Sequence, residues 1–244
     1  MSLQVSRLVG HRGIAAEAPE NTLTGFRLAA EAGFSWVEFD VMLSADDVPM
    51  LHHDEELGRT NDGSGPLCAE TAAALKRLDA GAWFDKGFSG ERIPTFEEAI
   101  SCCRALGLAM NVEIKPAAGH EIRTAEIVAE TLNALCPDLT ERIVVSSFVP
   151  DCLKVAKEKA PDFYRGYLCE SLADGWRQAA EELGCVSVHP NHRPLNEAAV
   201  AAIRQAGFKT LTYTVNDPER AATLIAWGVD AVITDEPSLV AALA

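Results

Sequence analysis

The stretch Leu195–Thr234, LNEAAVAAIRQAGFKTLTYTVNDPERAATLIAWGVDAVIT, decides the fold. It reads as a helix closed by Gly207, a strand over Thr210–Val215, a second helix closed by Gly228, and a strand over Ala231–Thr234. A glycine just past a helix adopts the left-handed conformation that satisfies the last carbonyls without a Cβ clash. The same punctuation, glycine then apolar residue, recurs at Gly33-Phe34, Gly107-Leu108 and Gly184-Cys185. Further strand-like runs are Leu8–His11, Trp36–Val41, Met110–Lys115, Ile143–Phe148, Phe163–Cys169 and Cys185–His189, which brings the set to eight. Helical patterns follow them over 21–32, 95–106, 119–135, 149–160, 172–183, 195–206, 217–227 and 237–243. Thr95 with Glu98 makes a capping box, and Phe96, Ile100 and Cys103 recur at helical spacing. Eight βα units in 244 residues predict an α/β protein of the (β/α)8 TIM-barrel class, a single domain over 1–244. A doubly wound open sheet would carry a glycine-rich phosphate loop after strand one, and none is present.

One segment breaks the alternation. After strand two come the turn cluster Ser44-Ala45-Asp46-Asp47 and another strand-like run, Val48–His53, which predicts a β-hairpin in place of a crossover. Residues 44–94 are therefore expected to form an insertion at the C-terminal end of strand two. That end is the active-site face of such barrels, so the insertion is expected to wall or cover the site. Trp83 and Phe84 are expected to form its small core.

Composition excludes several classes. The chain is 48% hydrophobic and 23% charged, which suits a packed globule and excludes disorder and small disulfide scaffolds. No 18-residue apolar run is present, so no spanning helix is expected. Met1-Ser2-Leu3-Gln4 lacks a basic segment leading into an apolar one, and no secretory signal is expected. With 36 acids against 21 bases the net charge is −15, which disfavours nucleic acid and anionic lipid as partners. Seven cysteines without a C-x-x-C motif suit a reducing, cytoplasmic compartment.

The chemistry concentrates on three strand ends. In Trp36–Val41, Glu38 and Asp40 share one face and Val37, Phe39 and Val41 the other, which directs both carboxylates into the barrel lumen. Asn111, Glu113 and Lys115 repeat that arrangement on strand three. Glu38, Asp40 and Glu113 together make an oxygen site for a hard divalent cation, Mg²⁺ or Ca²⁺. Strand one ends in His11-Arg12-Gly13, and the hairpin's return strand ends in His52-His53-Asp54. Period two alone leaves open which of His52 and His53 faces inward. Two imidazoles, a cation, Arg12 and Lys115 would form a cationic pocket for a phosphate, with a general base and a general acid. Other candidates read as structural: Asn21 as an N-cap, His189 and His192 as loop residues, and His120 and the cysteines as packing or surface groups. Tyr213 reads equally as pocket wall or core.

These residues resemble the glycerophosphodiester phosphodiesterases, in their cytoplasmic bacterial type. The resemblance runs through His11-Arg12-Gly13, Pro19-Glu20-Asn21-Thr22, Glu38-x-Asp40-Val41 and His53-Asp54-x-x-Leu57-x-Arg59-Thr60. It continues through Asp79-Ala80-Gly81-x-Trp83-Phe84, Glu113-Ile114-Lys115, Tyr213-Thr214-Val215-Asn216 and Thr234-Asp235, covering nearly the whole chain. It departs from the family pattern in the linker Ile14–Ala18, without the usual glycine, and at Ser44, where threonine is usual. It implies metal-dependent hydrolysis of a glycerophosphodiester to an alcohol and sn-glycerol 3-phosphate. It also implies His11 and His53 as catalytic residues, Arg12 and Lys115 as phosphate-binding residues, and Glu38, Asp40 and Glu113 as metal ligands. Two alternatives stand beside it: a lysine-dependent aldolase or isomerase using Lys115, and a non-catalytic binder of phosphorylated glycerol compounds. The insertion is expected to recognise the glycerol end of the substrate.

Overall fold

Alternation along strand two sets the layers of the molecule. Val37, Phe39 and Val41 enter the large apolar layer between strands and helices, where Phe39 meets Phe26 and Phe96 at ring separations of 5.3 and 6.0 Å. Glu38 and Asp40 point the other way, into the lumen, and are buried there. The computed structural model describes residues 3–242. In chain order the elements are β1 (Leu8–Gly10), α1 (Leu23–Glu31), β2 (Trp36–Leu43), β3 (Pro49–Leu51), β4 (Glu56–Leu57), β5 (Gly65–Pro66), α2 (Ala72–Leu75), α3 (Phe96–Leu106), β6 (Ala109–Ile114) and α4 (Glu121–Leu135). They continue with β7 (Ile143–Ser147), α5 (Pro150–Lys159), β8 (Tyr164–Cys169), α6 (Trp176–Glu182), β9 (Ser187–Pro190), α7 (Glu197–Gln205), β10 (Lys209–Thr212), α8 (Pro218–Trp227), β11 (Ala231–Thr234) and α9 (Ser238–Ala242).

Strands β1, β2, β6, β7, β8, β9, β10 and β11 pair in parallel in that order, and β11 returns to β1. The sheet is thus a closed (β/α)8 barrel. Val9, Trp36, Ala109, Val144, Leu211 and Ala231 pack together and belong to one apolar cluster, which plugs the lumen. Closer to the mouth the same faces turn polar, with Asn111, Glu113, Ser146, Ser187 and His189 all buried. The five glycines that punctuate the sequence all sit at positive φ, and Gly107 and Gly228 close α3 and α8 with the left-handed cap. No helix among the described residues is long and apolar enough to cross a membrane. Met1, Ser2 and position 243 of the last expected helix lie outside the described residues.

Residues 44–94 depart from the expectation in two ways. Strand β3 pairs antiparallel with β2 as a hairpin, but the segment's apolar core is aliphatic: Met42, Met50, Leu57, Leu67, Leu75 and Ile93. Trp83 lies outside it, 40% exposed, with its ring edge against Phe84. That cluster includes Met42 at the end of β2 and Ala117 just beyond β6, so the segment packs beside the C-terminal ends of those strands. Of residues 44–94 only His53 lines the cavity at the barrel mouth, so the segment supplies one wall residue to it.

Candidate active site

Two of the barrel's parallel strands carry the acidic floor. Register pairs Glu38 with Asn111 and Asp40 with Glu113 across β2 and β6, so period two stacks the side chains on one lumen face. Carboxylate oxygens of Glu38, Asp40 and Glu113 lie within 4.8 Å of one another, and all three residues are buried. Burial, with Asp40 and Glu113 alongside, pushes the Glu38 carboxyl well above its ordinary range. Burial and the Asp40 charge push Glu113 up to about 7, against the pull of Lys115 and Arg12. Burial would raise Asp40 too, but the charges of Arg12, Lys115 and His53 hold it below the usual carboxylate range. Three crowded carboxylates that resist ionising together are what a hard divalent cation relieves. Asn111 Oδ1 is buried without a partner on the same face, a further hard oxygen facing the cluster. The donor set therefore fits Mg²⁺ or Ca²⁺ and lacks the sulfur and nitrogen that zinc favours.

This arrangement has a consequence for stability. Glu38 and Glu113 hold protons in the folded chain above the ordinary carboxylate value, so the unfolded chain binds fewer protons over that interval. Their contribution to the stability of the metal-free protein is therefore lost as pH rises from about 4.5 through about 7, while His52, His53, His189 and His192, held below the ordinary imidazole value by burial, contribute in the opposite sense. Asp40 titrates below that window. Scanning calorimetry of chelator-treated protein should show Glu113→Gln, which removes a titrating group, gaining Tm over the native chain between about pH 5 and 8, with Mg²⁺ or Ca²⁺ restoring more of the native chain's Tm at the upper end. A Tm difference between the two that did not grow over that interval would show that the cluster is not forced together.

The rim above this floor is built by strained backbone. Arg12 and Asn21 sit at φ 50° and 57°, in the left-handed region that non-glycine residues enter at a cost. The turn at Arg12 aims its amide at Glu38 Oε2 (3.1 Å) and its guanidinium at Asp40 (3.2 Å) and Glu20 (2.7 Å). Asn21 is not the helix cap. Its side-chain amide donates to Asp40 Oδ2 at 3.0 Å, its Oδ1 accepts from the Asp40 amide, and Thr22 caps α1. Lys115 Nζ stands 3.5 Å from Glu113 and 4.0 Å from Asp40.

Each candidate imidazole is held at Nδ1 by a carboxylate. His11 pairs with Asp235 at 2.6 Å, and Asn216 donates to the other Asp235 oxygen at 2.7 Å. His53 pairs with Asp54 at 2.6 Å, and burial carries its pKa below the ordinary imidazole value. This contact fixes one tautomer in the neutral ring and leaves Nε2 for chemistry. His52 turns away: it is buried, bonded to the Asp54 carbonyl through Nδ1 and to Asn61 and Thr60 through Nε2. The structure thus brings His11, Arg12, Glu38, His53, Glu113 and Lys115 to one cavity of about 370 Å³, with Asp40 beneath.

The other cavity walls come from loops after barrel strands four to seven: Phe148, Glu170, Asn191, His192, Arg193, Tyr213 and Thr214. Phe148 and Tyr213 meet edge to face at 5.8 Å, which makes Tyr213 a wall residue, and its hydroxyl donates to the Cys169 carbonyl. His192 joins them, whereas His189 is fully buried within β9, against Ser187. Sequence reasoning missed Asp235, Asp54, Glu20 and Arg59 as partners. Asp54 adjoins a histidine in sequence, but Asp235 reaches His11 only because β11 closes the barrel against β1.

Cations gathered over buried carboxylates, inside a molecule of strongly negative net charge, suit a small anionic ester, and the protein falls in the class of barrel phosphoesterases. Similarity to known proteins narrows the class. Residues 11–239 match the Glycerophosphoryl diester phosphodiesterase family, and the chain belongs to that family. A glycerophosphodiester phosphodiesterase of Caldanaerobacter subterraneus subsp. tengcongensis is 32% identical over 94% of both chains. A phosphodiesterase of Oleispira antarctica, solved with the product sn-glycerol-3-phosphate, is 38% identical, with a TM-score of 0.94 over 98% of this chain and 97% of its own. The glycerophosphodiester phosphodiesterase of Thermotoga maritima is 29% identical, with a TM-score of 0.78 over 99% of each. The chain is thus an enzyme of phosphodiester hydrolysis, and the aldolase and non-catalytic alternatives fall away.

Proposed function

We propose that this enzyme hydrolyses glycerophosphodiesters to an alcohol and sn-glycerol 3-phosphate, using a divalent cation, Mg²⁺ or Ca²⁺, on Glu38, Asp40 and Glu113. One observation carries the reading: two carboxylate-held imidazoles and two cationic side chains line one cavity, over a buried three-carboxylate floor. The product found with the Oleispira protein supports the same choice of product here. Bound at the floor, the cation supplies Lewis-acid charge to a phosphate oxygen.

The chain's own residues do the rest. Arg12 and Lys115 neutralise the phosphate, and the Arg12 fork is held in place by Glu20 and Asp40. One of His11 and His53 takes the proton from the nucleophile as it bonds to phosphorus; water gives sn-glycerol 3-phosphate directly, whereas the glycerol 2-hydroxyl gives a cyclic phosphate whose ring P–O bond a water then opens. The other gives a proton to the departing alkoxide as its P–O bond breaks. The chain acts as one catalytic unit over 1–244, with 44–94 as an insertion that contributes His53. The seven cysteines are all free, which supports a cytoplasmic setting.

The cavity volume of about 370 Å³ lies near the lower end for ligand pockets, enough for a deacylated substrate. Glycerophosphocholine, glycerophosphoethanolamine and glycerophosphoglycerol should each yield sn-glycerol 3-phosphate, with kcat/KM values within about tenfold of one another. An intact two-chain phospholipid should not react, because its esterified hydroxyls offer no hydrogen to a polar pocket. A product assay on these four compounds checks both statements. Release of free glycerol with phosphocholine would mean cleavage of the wrong P–O bond.

A further inference from the structure

We propose that Arg59 is a positioning residue for catalysis: its guanidinium, anchored on Glu20, fixes the carboxylate that orients His53. The inference rests on the role given above to His53. Arg59 Nε and Nη2 donate to Asp54 at 2.5 and 3.1 Å, while Nη1 and Nη2 donate to Glu20 at 2.9 and 2.7 Å. Asp54 in turn holds His53, and the Glu20 oxygen that meets Arg59 Nη2 also accepts from Arg12. All three guanidinium nitrogens are engaged, in two forks that an ammonium does not reproduce.

The loop that carries Arg59 is itself tied down. Gly58, with φ 113°, and Gly63 donate their amides to Asn61 Oδ1, and the Asn61 side-chain nitrogen bonds His52 Nε2. His52 precedes His53, so the strand end that presents the imidazole also anchors the loop that braces it. This gives residues 44–94 a function at the site although they wall none of it beyond His53. Arg59 is 47% exposed, and exposed ion pairs contribute little to stability, so its value here is geometric. Without it Asp54, itself partly exposed, is free to turn to water and release the His53 ring.

The test is steady-state kinetics on glycerophosphocholine for Arg59→Ala, Arg59→Lys, His53→Ala and the Arg59→Ala/His53→Ala double variant, with Tm for each. Arg59→Ala should lower kcat about 10- to 100-fold, the usual cost of removing a partner that orients a functional imidazole. KM should change less than about threefold, because Glu20 and Asp40 still hold Arg12. Arg59→Lys should recover little, and added guanidinium chloride should raise kcat of Arg59→Ala where sodium chloride does not. In the His53→Ala background, removing Arg59 should cost almost nothing further. Native kcat in Arg59→Ala, or an undiminished loss on top of His53→Ala, overturns the proposal. Should Arg59→Ala not fold, Arg59→Lys carries the same comparison, alone and with His53→Ala. Native kcat in His53→Ala strikes the acid–base reading, and with it this proposal. A low value there beside native kcat in Arg59→Ala strikes the positioning proposal alone.

Discussion

Replacing His53 by Ala is expected to lower kcat by about 10²–10⁴, the usual contribution of a positioned acid or base, and His11→Ala should do the same. Both rings stand at the cavity with Nδ1 occupied by a carboxylate, so truncation removes the proton carrier and leaves the floor and the cationic side chains in place. The folded state should survive, since neither ring is part of an apolar cluster. His52→Ala should behave in the opposite sense. That ring is buried against Asn61 and Thr60, so its loss should lower Tm first and affect turnover through the loop it anchors. Kinetics alongside circular dichroism separates the cases. Near-native turnover in His11→Ala or His53→Ala would remove that residue from the proton transfers.

Glu113→Gln is expected to weaken cation binding by more than the roughly 10- to 100-fold that outer partners of a metal site cost. Activity should fall accordingly, and excess Mg²⁺ or Ca²⁺ should restore part of it. Glu38→Gln and Asp40→Asn should also lose affinity, but their other contacts complicate recovery. Asp40 accepts from Asn21 and faces Arg12, and Glu38 accepts the Arg12 amide. Glu113 has a simpler setting, with Lys115 at 3.5 Å, so Glu113→Gln should be the variant best rescued by added cation. Titration calorimetry gives the affinities directly. Unchanged affinity in all three variants would end the proposal of a cation on this cluster.

Much of this was legible because it obeys a short period. The five glycine caps, the alternation of Glu38 and Asp40 against Val37, Phe39 and Val41, and the repeat at Asn111–Lys115 are local patterns, and the structure follows them. What escaped is what only closure or an irregular turn creates. Asn21 reads as a cap, but its left-handed backbone turns its amide onto Asp40 and moves the cap to Thr22. Asp235 meets His11 across 224 residues of sequence. The insertion looked like a lid because it leaves strand two at the rim. Its aliphatic residues pack together there, and it gives the cavity His53, while Phe148, Glu170, Tyr213 and the Asn191–Arg193 loop supply further walls. Period two could not choose between His52 and His53, since β3 ends at Leu51 and the alternation no longer governs the next residues; the family resemblance named His53, and His53 is the one that lines the cavity.

The most direct test strips the enzyme of metal with a chelator, removes the chelator, and follows sn-glycerol 3-phosphate release from glycerophosphocholine as Mg²⁺ or Ca²⁺ is returned. The lumen cluster predicts negligible turnover in the stripped enzyme and a hyperbolic recovery with added cation, producing choline and sn-glycerol 3-phosphate in equal amounts. Full turnover by the stripped enzyme, with no response to either cation, would contradict the account.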